Sequence, residues 1–131
     1  MGDRTAVGID IVSVDRIAAL VAARGTAFTE RWFTPAEIAY CDARSDPSKH
    51  FAARFAAKEA VVKTIPQGWD GPLPYHDVEI LPGTDGPRQS AEVRLHGRVE
   101  TLADRATVAA IVVSLSHCDQ YAIAIAWATF R

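Results

Sequence analysis

Cysteine is scarce in this chain. Cys41 and Cys118 are its two copies, and they form neither a metal-ligand nor a redox spacing. Both are expected to be reduced packing residues. Long apolar runs are missing as well. None approaches the ~20 residues of a membrane span, and the opening MGDRTAVGID has no signal-peptide core. Ala6 stands where a myristoylation pattern needs Ser or Thr. A cytoplasmic protein is the expectation. Excess positive charge is lacking too: the formal net charge of −2 supplies no global basic field for nucleic acid. Repeats, linkers and low-complexity tracts are absent, as is a convincing Ser-His-Asp or Cys-His set. What remains is 131 residues, 49% hydrophobic and 23% charged, which suits a single soluble domain over 1–131 with one core.

Within that frame, TAVGIDIVS from Thr5 reads as a strand. Val7, Ile9 and Ile11 share one face, and Asp10 lies on the other beside Gly8 and Val12. VDRIAALVAAR from Val14 reads as a helix with Ile17, Leu20 and Val21 as its apolar stripe, ended by Gly25. Thr34-Pro35-Ala36-Glu37 predicts a helix start with a capping box and proline at the first position, and that helix is expected to end near Ala43. Asp46-Pro47 opens a further helix that stops before Pro66. PQGWDGPLPY is a loop, YHDVEIL a strand, PGTDGP a turn and SAEVRLH a second strand. A short helix is expected around Val99 to Arg105. VAAIVVSLS and YAIAIAWAT are two strands joined at HCDQ, a predicted hairpin. Helices and strands are partly segregated, which favours an α+β fold.

The helix through RFAAKEAVVKT (54–64) poses the functional question. Ala and Val occupy nearly every side of its wheel, as in a helix surrounded by protein. Yet it carries Arg54, Lys58, Glu59 and Lys63. Glu59 and Lys63 are four apart and share a face with Ala52, Phe55 and Ala56. Arg54 and Lys58 form a second such pair. On a solvated face Glu59–Lys63 would be an ion pair worth ~0.3–0.5 kcal/mol. The polar face is too narrow for that, and a partly buried carboxylate needs Lys63, a metal or both beside it. Asp10 raises the same issue in an otherwise apolar strand. An edge residue facing water is the alternative there, and an ordinary polar turn is the alternative for Ser114, Ser116 and His117.

Four segments together resemble the holo-acyl-carrier-protein synthase family, the small type of 4′-phosphopantetheinyl transferase. They are GIDIVSVDRI (8–17), FTPAEIAYC (33–41), RFAAKEAVVKT (54–64) and SLSH (114–117), in the family's order. The resemblance implies an antiparallel sheet packed on a long central helix. It implies transfer of the phosphopantetheine arm of coenzyme A to a serine of an acyl carrier protein, with adenosine 3′,5′-bisphosphate leaving. The nucleophile then belongs to the substrate protein, which accounts for the missing triad. Carried over residue by residue, Asp10 and Glu59 bind Mg²⁺, and Glu59 or a nearby water is the base. Lys63 holds the α-phosphate. Lys58 and His117 contact coenzyme A. Arg16 meets acidic residues of the carrier protein, with Leu20 beside it on the helix as an apolar neighbour; a solvated helix charge is the alternative for Arg16. For Phe55 the alternatives are the same partner surface and the core. The resemblance further implies a homotrimer with active sites shared between neighbours. No nucleic acid or membrane partner is implied.

Two features depart from the family's pattern. Thr64-Ile65-Pro66-Gln67-Gly68-Trp69 replaces a frequent Gly-x-Gly, and the segment around PGTDGPRQ is atypical. Val12 stands where larger, fused relatives carry a second acid, which fits the small type. The carrier protein, of fatty acid or polyketide assembly, stays open. Two other classes compete. A Mg²⁺-dependent nucleotide or pyrophosphate hydrolase would use the same acids without needing a carrier protein. A non-catalytic binding module would tolerate loss of Asp10 and Glu59.

Overall fold

A computed structural model describes residues 4–66, 74–83 and 91–131. The expected glycine-rich loop, the following turn and the Gln67-Gly68-Trp69 departure lie largely outside the described residues. Strand β1 (Thr5–Ser13) leads directly into α1 (Val14–Arg24), capped by the Ser13 hydroxyl, which accepts from the Arg16 amide. A helix that the pattern did not predict, α2 (Thr26–Trp32), follows Gly25. The capping box forms as expected at the start of α3 (Pro35–Asp42): Thr34 accepts from the Glu37 amide and Glu37 accepts from the Thr34 amide. Helix α4 runs Pro47–Thr64, with proline in its first turn. A 3₁₀ turn (Tyr75–Asp77) precedes β2 (Val78–Pro82), and β3 (Ala91–Leu95), α5 (Gly97–Arg105), β4 (Val108–His117) and β5 (Tyr121–Phe130) complete the order. The fold is α+β, as predicted.

The five strands form one antiparallel sheet in the order β1-β5-β4-β3-β2. Strand β5 lies between β1 and β4, and its alternation separates two kinds of residue. Ala122, Ala124, Ala126 and Ala128 point inward and are buried, while Tyr121, Ile123, Ile125 and Trp127 point outward and are exposed. Helix α4 presents Ala52, Ala53, Ala56, Ala57 and Ala60, all buried. Small side chains on both sides let helix and sheet approach closely. The closest approach is at Gly8, where a Cβ would stand 2.0 Å from the Ala60 carbonyl oxygen. A side chain is therefore excluded there by backbone, not by a movable neighbour.

The Val7–Ile9–Ile11 stripe lies on the outer face of the sheet. These residues are 57%, 53% and 62% exposed. Their strand partners are Trp127, Ile125 and Ile123 on β5, so one apolar surface crosses β1 and β5. Asp10, one pleat away, turns toward α4.

Candidate active site

The seam between β1 and α4 brings together residues far apart in sequence. Gly8 seats β1 against Ala60, and its missing side chain leaves room for the Lys63 stem, whose Cβ is 3.0 Å from that position. Lys63 then donates to the Ile9 carbonyl at 2.7 Å and lies 3.4 Å from Asp10 Oδ1. The Asp10 carboxylate thus has its counter-charge, and the Lys63 side chain is still 51% exposed. Glu59 and Lys63 do not pair with each other across the helix turn. Lys63 serves β1, and Glu59 takes another partner.

That partner is Tyr75, whose role the sequence did not reveal. YHDVEIL reads as a strand from its first residue, but the strand begins at Val78, and Tyr75–Asp77 form a 3₁₀ turn. The turn buries the Tyr75 ring and directs its hydroxyl to Glu59 Oε1 at 2.5 Å. Burial pushes the Tyr75 hydroxyl well above its ordinary value, helped by the hydrogen bond to Glu59 and by the charges of Glu59 and Asp10. It stays a donor at neutral pH. The one available signal was that a buried tyrosine needs a polar partner. The intervening loop hid which one.

Lys58 corrects an expectation. Predicted to contact coenzyme A, it is fully buried and paired with an equally buried Glu37 at 2.7 Å. Its other two protons go to the carbonyls of Tyr75, at 3.0 Å, and Val78. Glu37 is equally saturated, accepting from the amides of Thr34 and Ile80 as well. Burial lowers the Lys58 pKa, against the pull of Glu37. An ammonium with all three protons engaged inside the protein has none to offer a nucleotide. It ties α4 to α3 and to the start of β2.

His117 lies elsewhere, at the end of β4, in a hollow of about 190 Å³ lined also by Tyr40, His50, Arg54 and Leu115. The His50 and His117 rings are 5.2 Å apart. The Arg54 guanidinium lies 4.0 Å over the Tyr40 ring, and Arg54 is 4% exposed. Among the described residues its buried Nε has no hydrogen-bond partner. Burial lowers the His50 pKa, and the charges of His117, Arg54 and Arg44 lower it further. The hollow is therefore cationic and under-neutralised. Arg54 was conspicuous in the sequence, but His50 and Tyr40 join it only through tertiary packing.

Of the residues expected at a partner surface, Arg16 is exposed on α1, and Leu20 packs partly against the core. Phe55, half-buried, belongs to an aromatic cluster: its ring stacks on Tyr75 at 5.8 Å and meets Trp32 edge-on at 6.0 Å.

Asp10 and Glu59 are the candidate metal ligands. Among the described residues no group of three His, Cys, Asp or Glu side chains forms a cage. The two carboxylates offer hard oxygens and remain partly open to solvent. That combination fits Mg²⁺, which keeps waters and takes phosphate oxygens as further ligands.

With this geometry in place, comparison with known proteins gives one answer. The profile of the 4′-phosphopantetheinyl transferase superfamily matches residues 6–126. The holo-[acyl-carrier-protein] synthase of Moorella thermoacetica is 46% identical over 120 residues, covering 91% of this chain and 89% of the relative. The Chronobacterium ammoniagenes ACPS–CoA complex superposes with a TM-score of 0.82 at 26% identity, covering 98% of both chains. The Helicobacter pylori holo-[acyl-carrier-protein] synthase in complex with coenzyme A gives 0.75 at 30% identity, covering 92% of this chain and 97% of that one. Family profile and fold agree: the chain belongs to the 4′-phosphopantetheinyl transferase superfamily.

Proposed function

We propose that this protein is a holo-acyl-carrier-protein synthase. It moves the 4′-phosphopantetheine arm of coenzyme A to a serine of an apo acyl carrier protein and releases adenosine 3′,5′-bisphosphate. The observation that carries this reading is the β1–α4 seam, where Lys63 lies 3.4 Å from Asp10 and Glu59 stands one turn earlier on the same helix. Asp10 and Glu59 are the residues that would hold Mg²⁺, which on binding polarises the attacked phosphate and offsets charge on the pyrophosphate. Glu59 accepts the proton of the incoming serine hydroxyl, directly or through a water. Lys63 leaves Asp10 and the Ile9 carbonyl for the α-phosphate, where its charge stabilises the departing bisphosphate. Positioning and charge complementarity then do most of the work, as in other phosphoryl-type transfers.

The hollow at Arg54, His50 and His117 suits a further phosphate of coenzyme A, because a buried guanidinium without a carboxylate favours an anion. At ~100° per residue, Arg54 and Lys63 project about 180° apart around α4. One nucleotide is poorly placed to reach both on a single chain, which supports sites completed by a neighbouring subunit. The outer sheet face supports the same assembly. Val7, Ile9, Ile11, Val112, Ile125 and Trp127 form an apolar surface of a kind that isolated proteins seldom leave open. The proposed state is a homotrimer, checked by sedimentation equilibrium. Arg16 offers a positive contact for an acidic carrier protein. No helix among the described residues is long and apolar enough to cross a membrane, and the proposed setting is the cytoplasm.

The deciding experiment is mass spectrometry of apo acyl carrier protein after incubation with the enzyme, coenzyme A and Mg²⁺. A gain of one phosphopantetheine group, lost on chelation, is the expected result. Release of nucleotide without carrier modification would indicate a hydrolase and overturn the proposal.

A further inference from the structure

We infer that Tyr75 is a positioning residue that fixes the Glu59 carboxylate before metal and substrate arrive. The inference rests on the proposed transferase reading, in which Glu59 is a metal ligand.

Tyr75 is held at three points. Its ring packs in a triangle with Phe55, stacked at an interplanar angle of 24°, and Trp32, whose centroid is 4.7 Å away. Its carbonyl accepts from the buried Lys58 ammonium at 3.0 Å, and Lys58 is locked in turn by Glu37. Its hydroxyl donates to Glu59 Oε1 at 2.5 Å. A side chain fixed at its ring and its backbone cannot follow a wandering carboxylate, so the carboxylate must settle on the hydroxyl.

The consequence is directional. Oε1 is occupied by Tyr75, while Oε2 has no protein partner among the described residues. One oxygen is anchored and the other is left for a further partner. A glutamate has several rotatable bonds, and freezing them in advance removes that cost from binding. Hydrogen-bonded partners behind a metal ligand typically change metal affinity by about 10–100-fold. This gives the misassigned Lys58 a role: it acts on the site through Tyr75, without touching substrate.

The test compares Tyr75→Phe and Tyr75→Ala with the wild type. Phe keeps the ring stack and removes only the hydroxyl. Mn²⁺ binding is measured by electron paramagnetic resonance with coenzyme A present, alongside melting temperature and steady-state kinetics on an acyl carrier protein. The expected result for Tyr75→Phe is Mn²⁺ affinity weakened about 10–100-fold at an unchanged melting temperature. At saturating metal, the KM for coenzyme A should stay within about twofold, because no nucleotide contact is removed. Wild-type Mn²⁺ affinity in Tyr75→Phe overturns the inference, even if Tyr75→Ala is impaired, since the ring alone would then account for the residue. If the wild type itself binds no Mn²⁺ and modifies no carrier protein, the transferase reading fails, and the inference fails with it. An active wild type matched by Tyr75→Phe in both assays sinks the inference alone.

Discussion

Lys58 and Lys63 stand on the same helix, little more than a turn apart, and they have opposite fates. Lys58 is wholly buried, with its three protons taken by Glu37 and two carbonyls. Lys63 is half exposed and holds β1 through one good hydrogen bond and a longer contact to Asp10. The difference teaches how to tell a structural cation from a functional one in a motif that contains both. A saturated, buried ammonium cannot trade partners without leaving a buried carboxylate bare. A loosely held ammonium at the edge of a seam can move to a phosphate at little cost.

The comparison breaks most visibly at Lys58. Lys58→Ala leaves Glu37 charged and unpaired in the core, which should cost ~3–5 kcal/mol and show as a large drop in melting temperature. Lys63→Ala should leave the melting temperature nearly unchanged but lower kcat by on the order of 10²–10³, the usual loss for one donor to developing charge. If Lys63→Ala instead lowered stability and spared kcat, the two lysines would be alike and the distinction would fall.

Gly8→Ala attacks the seam without touching a charge. The added methyl meets the Ala60 carbonyl, so β1 must shift and carry Asp10 with it. A loss of about 1–3 kcal/mol is expected from overpacking, together with weaker Mn²⁺ binding. Normal stability and normal metal affinity would show that β1 can relax freely.

Arg16→Glu sharpens the contrast from outside the seam. An exposed charge reversed against an acidic partner should weaken carrier binding by about tenfold or more. Coenzyme A binding should be untouched, and added salt should erase much of the difference. Isothermal titration with each ligand separates these outcomes.

The smallest effect concerns His50. Burial first, and then the neighbouring positive charges, hold its pKa below the ordinary 6.5. The native state thus resists protonation more than the unfolded chain does. The contribution to stability is present above pH ~6.5 and is lost as pH falls toward the lowered native value. A bound phosphate should raise the His50 pKa again, so coenzyme A binding should take up protons and tighten on mild acidification. Titrations in buffers of different ionisation enthalpy measure that uptake, and His50→Gln should reduce it.

The sequence by itself determined the local elements wherever a short-range rule applied. The capping box at Thr34–Glu37, the all-round apolar helix Pro47–Thr64 and the strand alternation from Tyr121 each depend on neighbours within about one turn or one pleat. It also marked Asp10, Glu59 and Lys63, because charges in apolar segments are costly and demand partners. It could not say who those partners are. Helix α2 escapes the pattern because TAFTERW is too short to show a period. Tyr75 reads as strand because a 3₁₀ turn leaves no periodic signature. The place of Lys58 is illegible because burial depends on what packs against a helix, not on the helix's own residues. Only the tertiary structure decided that Glu37, from a capping box on another helix, would meet Lys58, and that Tyr75 would cross a loop to hold Glu59. The physical reason is range: capping and periodicity act between near neighbours in the chain, whereas ion pairs, ring stacks and carboxylate orientation act between neighbours in space.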